Sequence, residues 1–152
     1  VSNRGIRLCY LRQAGIDLYG DAMKFAKIVF LLAGIYGLVV IAPLYFLEGA
    51  VVAQSGKVVN HPEFYYGFAG VTLAWQIGFL LISTDPVRYR LLMFAACIEK
   101  LSFVAAIAVL YAQGRVDMTM VFGAAGDFVL LCLFVAAIVK TAGQRYVSDA
   151  GS

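Results

Sequence analysis

Four uninterrupted apolar runs, each about the length of a membrane-spanning helix, constrain this chain more than any other feature of its sequence. They cover residues 25–47, 64–84, 91–112 and 120–139. A helix needs about 20 apolar residues to cross a hydrocarbon core of roughly 30 Å. A membrane β-barrel would need alternating segments of about 10 residues, and these runs do not alternate. The sequence therefore predicts an all-α integral membrane four-helix bundle in up-down-up-down order.

The composition excludes an ordinary soluble domain. Of the 152 residues, 62% are hydrophobic and 14% are charged, and the mean hydropathy is +0.87. Soluble domains hold about 25% charged residues. The net charge of +3 is small and no basic motif with interleaved aromatic residues occurs. We therefore expect membrane lipids, and no nucleic acid, as partners of the basic residues.

Helix-start signals stand at the beginnings of the second and third runs. Pro62 and Glu63 are predicted in the first turn of the second span, where a missing N–H costs nothing and a negative charge suits the helix dipole. Asp85 is predicted as the N-cap of the third span, with Pro86 at the first helical position.

Two further signals concern the fourth and the first span. Asp117 or Thr119 is predicted to cap the start of the fourth span. Pro43 lies inside the first run, where its ring leaves the carbonyl of Val39 without a helical donor. A kink is therefore expected near that end of the first span.

Basic residues are distributed unevenly about the runs, and cytoplasmic loops carry an excess of Lys and Arg. The imbalance predicts that both termini and the turn "DPVRYR" are cytoplasmic. In that turn, Asp85, Arg88 and Arg90 are expected to anchor the bundle, with the two arginines reaching lipid phosphates. The predicted cytoplasmic side holds Arg4, Arg7, Arg12, Lys24, Lys27, Arg88, Arg90, Lys140 and Arg145, and the opposite side holds Lys57 and Arg115.

The segments outside the spans are short. Residues 1–24 form a predicted cytoplasmic segment with two interpretations. Apolar residues recur there at helical spacing, which indicates a helix on the membrane surface. Alternatively, Met23 followed by Lys24 reads as a natural start, so residues 1–22 would be an upstream extension. Residues 140–152 are expected to form a cytoplasmic tail.

Several kinds of chemistry lack their residues in this sequence. Cys9, Cys97 and Cys132 are isolated and form no C-x-x-C pair for disulfide exchange. His61 is the single histidine, so a bis-histidine haem or a multi-histidine metal site within one chain is excluded. We expect no metal and no cofactor. Because no nucleophile and base pair or phosphate loop is recognisable either, an enzyme is the least favoured class.

Polar residues inside the spans define the candidate site. With a helical rise of about 1.5 Å per residue, Gln76 and Glu99 each lie about 12 Å from the cytoplasmic boundary, and Thr72 and Asp127 about 18 Å. Thr72 and Gln76 are four residues apart and share a helix face. With Trp75 beside them, these residues predict a polar belt near the middle of the membrane.

Lys100 extends this belt but is expected to point elsewhere. Glu99 and Lys100 project about 100° apart on a helix. We expect Glu99 to face the interior and accept a hydrogen bond from Gln76. The long stem of Lys100 is expected to reach toward the cytoplasmic interface. A bridge from Lys100 to Asp127 can form but is not favoured by the side-chain directions.

Small residues surround the acid of the fourth span. Gly123 shares a face with Asp127, and Gly126 is adjacent. Small residues let helices approach closely in membranes, so another helix is expected to pack against this face.

Acids inside spans cost roughly 2.5 to 3.5 kcal/mol each to insert and usually mark a pathway, a relay or a ligand counter-ion. The sequence therefore favours a protein that binds a lipid-like or quinone-like small apolar molecule, or a partner helix, through the polar belt. One alternative is a small proton-coupled transporter acting as a homodimer, with Glu99 or Asp127 as the carrier. A purely structural membrane subunit is the other alternative, because such residues can simply join helices.

Short motifs also suggest a family. The segments "YYGFAG", "AWQ", "DPVRYR", "EKLSF" and the "GD" of the fourth span lie within residues 24–140. In size and layout this region resembles DoxX-like membrane proteins, which are small bacterial four-span proteins. The resemblance implies a multi-pass protein of the bacterial inner membrane. DoxX-like proteins are implicated in membrane redox homeostasis, but no cofactor motif in this sequence accompanies that role.

Overall fold

A computed structural model of the protein describes residues 3–55 and 60–142, and the side chains of residues 15–53 and 60–142. Within these ranges the chain is helical and contains no strand. A 3₁₀ helix, Ala42–Tyr45, follows the first α-helix directly. The α-helices are α1 Asn3–Ile41, α2 Glu48–Ser55, α3 Pro62–Thr84, α4 Arg90–Ala112 and α5 Met118–Ala142.

In the described part of the chain, four helices are long and apolar enough to cross a membrane, namely α1, α3, α4 and α5. This finding confirms the prediction of an all-α, multi-pass membrane protein. Each predicted run lies on one of these helices, and the first run continues from α1 into the 3₁₀ helix. The order of the spans across the membrane and the cytoplasmic side of both termini stay predictions. Lys57 and Arg145, which entered the charge comparison, lie outside the described residues.

The helix α1 is longer than the first apolar run. It continues without a break from Asn3 to Ile41. Residues 3–24 therefore continue the helix of the first span, and their place at the membrane surface stays a prediction.

Two predicted helix starts are confirmed. Pro62 is the first residue of α3, and Glu63 lies in its first turn. At the start of α5, Asp117 Oδ1 accepts hydrogen bonds from the backbone N–H of Thr119 at 3.0 Å and of Met120 at 3.3 Å. Asp117 therefore caps the N–H groups that the first turn of a helix leaves unpaired.

The predicted N-cap of the third span is wrong. The helix α4 begins at Arg90, and residues 86–89 form a turn before it. Asp85 Oδ1 accepts the N–H of Arg88 at 3.1 Å, so Asp85 stabilises this turn. The turn is not continuous with α4 because Tyr89 has a ψ of 21°, outside the helical range.

At Pro43 the predicted kink is replaced by a change of helix type, because proline cannot continue the hydrogen bonding of an α-helix. The α-helix stops at Ile41, and the chain continues as the 3₁₀ helix. Pro43 lies in the first turn of the 3₁₀ helix. Its carbonyl oxygen accepts a hydrogen bond from the backbone N–H of Phe46 at 2.9 Å.

Three phenyl rings fill one half of the bundle. The ring centroids of Phe30 and Phe134 are 4.2 Å apart, and that of Phe79 lies 5.1 Å from Phe134 and 6.1 Å from Phe30. These distances are typical of stacked and tilted aromatic pairs. We call this region the packed half. Its buried residues include Ala26, Phe30, Phe79, Ile82, Met93, Ala96, Phe134, Ala137 and Ile138.

The helices pair unequally. The closest packing joins α1 to α3 and α4 to α5, α1 also packs on α5, and α3 and α4 make few contacts with each other. Two glycines bring α1 against α3. A Cβ on Gly34 would lie 2.8 Å from the Leu80 side chain and 3.0 Å from the carbonyl oxygen of Gln76, and one on Gly37 would overlap the Gln76 side chain.

Candidate functional site

The other half of the bundle encloses a cavity of about 700 Å³. Its walls come from residues 33–41 of α1, 68–76 of α3, 95–103 of α4 and 123–130 of α5, and we call this region the hollow half. The structure brings all members of the predicted polar belt to these walls. They are Thr72, Trp75, Gln76, Glu99, Lys100 and Asp127.

A charged cluster lies between α4 and α5. Lys100 Nζ is 2.7 Å from Asp127 Oδ1 and 3.3 Å from Glu99 Oε2. Lys100 is buried, with 5% of its surface exposed. The side chain of Asp127 is 25% exposed and that of Glu99 is 19% exposed. We call Glu99, Lys100 and Asp127 the acid–lysine cluster.

The predicted direction of Lys100 is wrong. Its ammonium does not reach toward the end of the bundle but bridges the two carboxylates, and the disfavoured pair with Asp127 is present. The reason is electrostatic, because the attraction between opposite charges grows as the surroundings become less polar. The flexible stem of Lys100 lets its charge approach both acids, and the ring of Phe79 lies beneath the ammonium at 5.4 Å.

The predicted hydrogen bond between Gln76 and Glu99 is also wrong. Gln76 Nε2 donates instead to the carbonyl oxygen of Thr72, one turn earlier on the same helix, at 3.0 Å. Gln76 is buried where α1 approaches most closely, against Gly37, and Glu99 turns toward Lys100. The two side chains line the same cavity without bonding each other.

The acid–lysine cluster has more hydrogen-bond acceptors than donors. An ammonium supplies three N–H donors, and two carboxylates offer about four acceptor positions each. Lys100 Nζ donates a hydrogen bond to Glu99 Oε1 at 3.4 Å, whereas the buried Oε2, also near the ammonium, accepts no hydrogen bond. Within the described part of the chain, Asp127 pairs with Lys100 alone. The cluster is therefore rich in acceptors that face the cavity or lie just behind its wall.

The expected helix packing at Gly123 and Gly126 is wrong for the described residues. Nothing lies within 4 Å of a Cβ built on either glycine, and both residues line the cavity. The close helix approach occurs at Gly34 and Gly37 instead. Glycine spacing alone indicates that a helix can approach, but the tertiary arrangement decides which glycine face meets one.

The cavity has an open side that exposed residues of α3 and α4 border. Val71 on α3 and Ile98 on α4 both line it, and they are 64% and 67% exposed. The two helices touch beside the opening through Phe68 and Phe103, whose ring centroids are 6.5 Å apart. Sequence reasoning missed these lining residues because an apolar residue beside a cavity looks the same in sequence as one that faces lipid.

The "DPVRYR" turn has a structural role that the sequence did not predict. Arg90 Nη1 donates to the carbonyl oxygen of Thr141 at 3.2 Å, which ties the start of α4 to the end of α5. The guanidinium of the exposed Arg88 lies 5.6 Å from the centre of the Tyr89 ring. The predicted contacts of Asp85, Arg88 and Arg90 with lipid phosphates stay a prediction.

His61, Cys97 and Cys132 were also considered for chemistry, and none of them lines the cavity. His61 Nδ1 is 3.0 Å from Glu63 Oε1, and both side chains are exposed. Cys97 and Cys132 are free thiols. Among the residues whose structure is described, no group of three His, Cys, Asp or Glu side chains is arranged to hold a metal ion.

The fold and this cavity define a class, a multi-span helical membrane protein with a charged cluster inside its bundle. No protein-family model, curated protein or solved structure matches the chain. The resemblance to DoxX-like proteins therefore rests on size, layout and short motifs alone.

Proposed function

We propose that this protein binds a small amphiphilic molecule, lipid-like or quinone-like, in the hollow half, in the inner membrane of a bacterium. The observation that carries the proposal is one cavity that combines apolar walls with the acid–lysine cluster. Its volume of about 700 Å³ lies within the range of roughly 300 to 1,000 Å³ typical of small-molecule sites. The polar end of the molecule would meet the cluster, and its apolar body would lie along the walls.

The partial exposure of the acids supports binding over a purely structural role. Charged residues inside a membrane that face a cavity commonly mark a ligand counter-ion or a pathway. Asp127 keeps 25% of its side chain exposed, on a wall where Gly123 and Gly126 leave open space. An occupant with polar groups would complete these interactions.

The position of the opening supports a membrane-dissolved occupant. The gap between α3 and α4 faces sideways between two spanning helices and is bordered by apolar residues such as Val71 and Ile98. An amphiphile within the bilayer could enter there without leaving the apolar phase. A partner helix could lie against the same gap, but it could not place a polar group at the acid–lysine cluster without a side chain long enough to cross the cavity.

Proton-coupled transport is the second candidate. The carboxylates suit it, since intramembrane acids commonly carry protons in transporters. Transport also requires access from both membrane faces, however, and the rings of Phe30, Phe79 and Phe134 close the packed half. Binding requires no rearrangement of these rings and is therefore preferred.

Filling the cavity tests the proposed function. Trp75, the single tryptophan of the chain, lines the cavity and can report binding by its fluorescence. Gly126→Leu places a side chain in open space, so the helices need not move. Ala125→Leu on the same helix is the matched control, because Ala125 is exposed and does not line the cavity. The probe is a decyl-substituted benzoquinone, whose ring quenches indole emission, titrated into nanodiscs that contain the protein.

The expected result is saturable quenching in the parent and in Ala125→Leu, with loss of the saturable component in Gly126→Leu. A nitroxide-labelled single-chain lipid serves as the second probe for the same three proteins. Quenching that rises without saturation for both probes, equally in all three proteins, would show that Trp75 meets these molecules only in the bilayer and would overturn the proposal.

A further inference from the structure

We infer that the polar end of the bound molecule is a protonated amine. This inference rests on the binding function proposed above and specifies the chemistry of its ligand. It starts from the charge balance of the cavity wall. Two acids, Glu99 and Asp127, face one base, Lys100, and no other basic residue lines the cavity in the described chain.

The single positive charge is already committed to the two acids. Lys100 Nζ lies 2.7 Å from Asp127 and 3.3 Å from Glu99, and Lys100 itself is almost completely buried. An anionic head group would have to approach two carboxylates to reach it, and like charges repel strongly where water is scarce. The more exposed member of the cluster is Asp127, so an incoming group meets a carboxylate first.

The hydrogen-bonding balance indicates the same kind of ligand. Glu99 Oε2 accepts no hydrogen bond, although Lys100 Nζ lies 3.3 Å away as its ion partner, and within the described residues Lys100 is the one ion partner of Asp127. A ligand that brings only acceptors would leave these oxygens unpaired. A protonated primary amine brings three N–H donors and a positive charge. It therefore supplies the hydrogen-bond donors and the positive charge of which the cluster has too few.

The rest of the cavity suits the body of such a molecule. Aromatic residues Tyr36, Trp75, Phe68 and Phe103 line the walls. Aromatic faces attract cations, and their apolar area accommodates an alkyl or aryl chain. The structure already shows this interaction at the acid–lysine cluster, where Lys100 Nζ lies 5.4 Å from the centre of the buried Phe79 ring.

Three amphiphiles with the same chain test the inference. Decylamine, decanol and decanoate are used to displace the decyl-substituted benzoquinone in nanodiscs of zwitterionic lipid, with Trp75 fluorescence as the readout. The variant Asp127→Asn removes one negative charge and keeps an oxygen that can accept from Lys100. Glu63→Gln removes a negative charge at an exposed position away from the cavity and is the matched control.

In the parent and in Glu63→Gln, decylamine is expected to displace the quinone at about one tenth of the decanoate concentration. A tenfold ratio corresponds to about 1.4 kcal/mol. In Asp127→Asn, decylamine should lose about that tenfold advantage, and decanol should change by less than about threefold. Because each amphiphile partitions into the same lipid in all three proteins, the comparison between variants isolates the cavity.

Other outcomes separate the two proposals. Displacement by decanol or decanoate at concentrations equal to or below that of decylamine would overturn the amine inference and leave binding in place. So would unchanged decylamine displacement in Asp127→Asn, or saturable quinone binding that none of the three displaces. If neither the quinone nor the nitroxide-labelled single-chain lipid shows saturable quenching in the parent, the proposed function fails and the amine inference fails with it.

Discussion

The packed half and the hollow half are built from the same four spanning helices, yet they are filled in opposite ways. Along α5, Phe134 and Ala137 belong to the buried core, whereas Gly123 and Gly126 border open space. The helices are apolar in both halves, so hydrophobicity does not distinguish them. The difference lies in side-chain size and in the placement of polar atoms. Protein interiors are normally close-packed, so a region left open beside charged side chains is a candidate for function.

The two halves also stabilise the bundle through different interactions. Lipid is as apolar as a leucine side chain, so helices in a membrane associate through close packing and polar contacts and gain little from burying apolar surface. The stacked rings supply the packing in one half. In the other, the acid–lysine cluster supplies the polar contacts.

The largest expected effect is on the cluster. Lys100→Met should cost about 3 to 5 kcal/mol of unfolding free energy, because it leaves two partly buried carboxylates without their cation. The measurement is the unfolding equilibrium in mixed micelles. The triple variant Glu99→Gln, Lys100→Met, Asp127→Asn should recover most of the loss, since it removes all three charges. A single Lys100→Met variant as stable as the parent would show that the cluster does not hold α4 and α5 together.

Alanine substitution of one phenylalanine in each half compares how much the two halves contribute to stability. Phe134→Ala removes a ring from the stacked group of the packed half and should cost on the order of 3 kcal/mol through the void it leaves. Phe68→Ala removes a ring that is 49% exposed beside the cavity opening and should cost about 0.5 kcal/mol. Both values come from the same unfolding experiment. Equal losses would contradict the division of the bundle into a packed and a hollow half.

Alanine substitutions at two glycines are expected to change the stability of the bundle in opposite directions. Gly34→Ala should destabilise the bundle by about 1 to 3 kcal/mol, because its Cβ would press on Leu80 and on the backbone of Gln76. Gly126→Ala meets nothing within 4 Å and should stabilise α5 by up to about 1 kcal/mol through its higher helix propensity. Thermal denaturation of both variants in the same detergent measures the difference. A loss of stability in Gly126→Ala would show that a helix packs against this face.

Local signals made the fold predictable. The length of an apolar run is a property of consecutive residues, and each of the four runs lies on a helix long enough to span a membrane. Asp117 caps α5 through bonds to residues two and three positions away, which a sequence can show. Asp85 offered the same local pattern, but a separate turn intervenes before α4. That turn depends on the connection between two helices and left no distinct signal.

The sequence indicated which polar residues lie near one another, but it did not indicate which of them make contact. Counting helical rise from the ends of the runs brought Glu99, Gln76 and Asp127 near one level, and all of them line the same cavity from three different helices. The direction of Lys100 depended on which charge it could reach across to the next helix, and its own helix does not specify that. The same limit applies to the glycines, whose neighbours are set by the arrangement of all four spans.

The pairing of the helices bears on how the chain enters the membrane. The acid–lysine cluster is contained in α4 and α5, which are consecutive in sequence and pack closely together. Lys100 can therefore offset one of the two acid charges within that pair, without a residue of α1 or α3. The most polar part of the protein thus holds its counter-ion within two consecutive spans. The cavity is lined by residues of all four spanning helices, so neither pair of helices forms it alone.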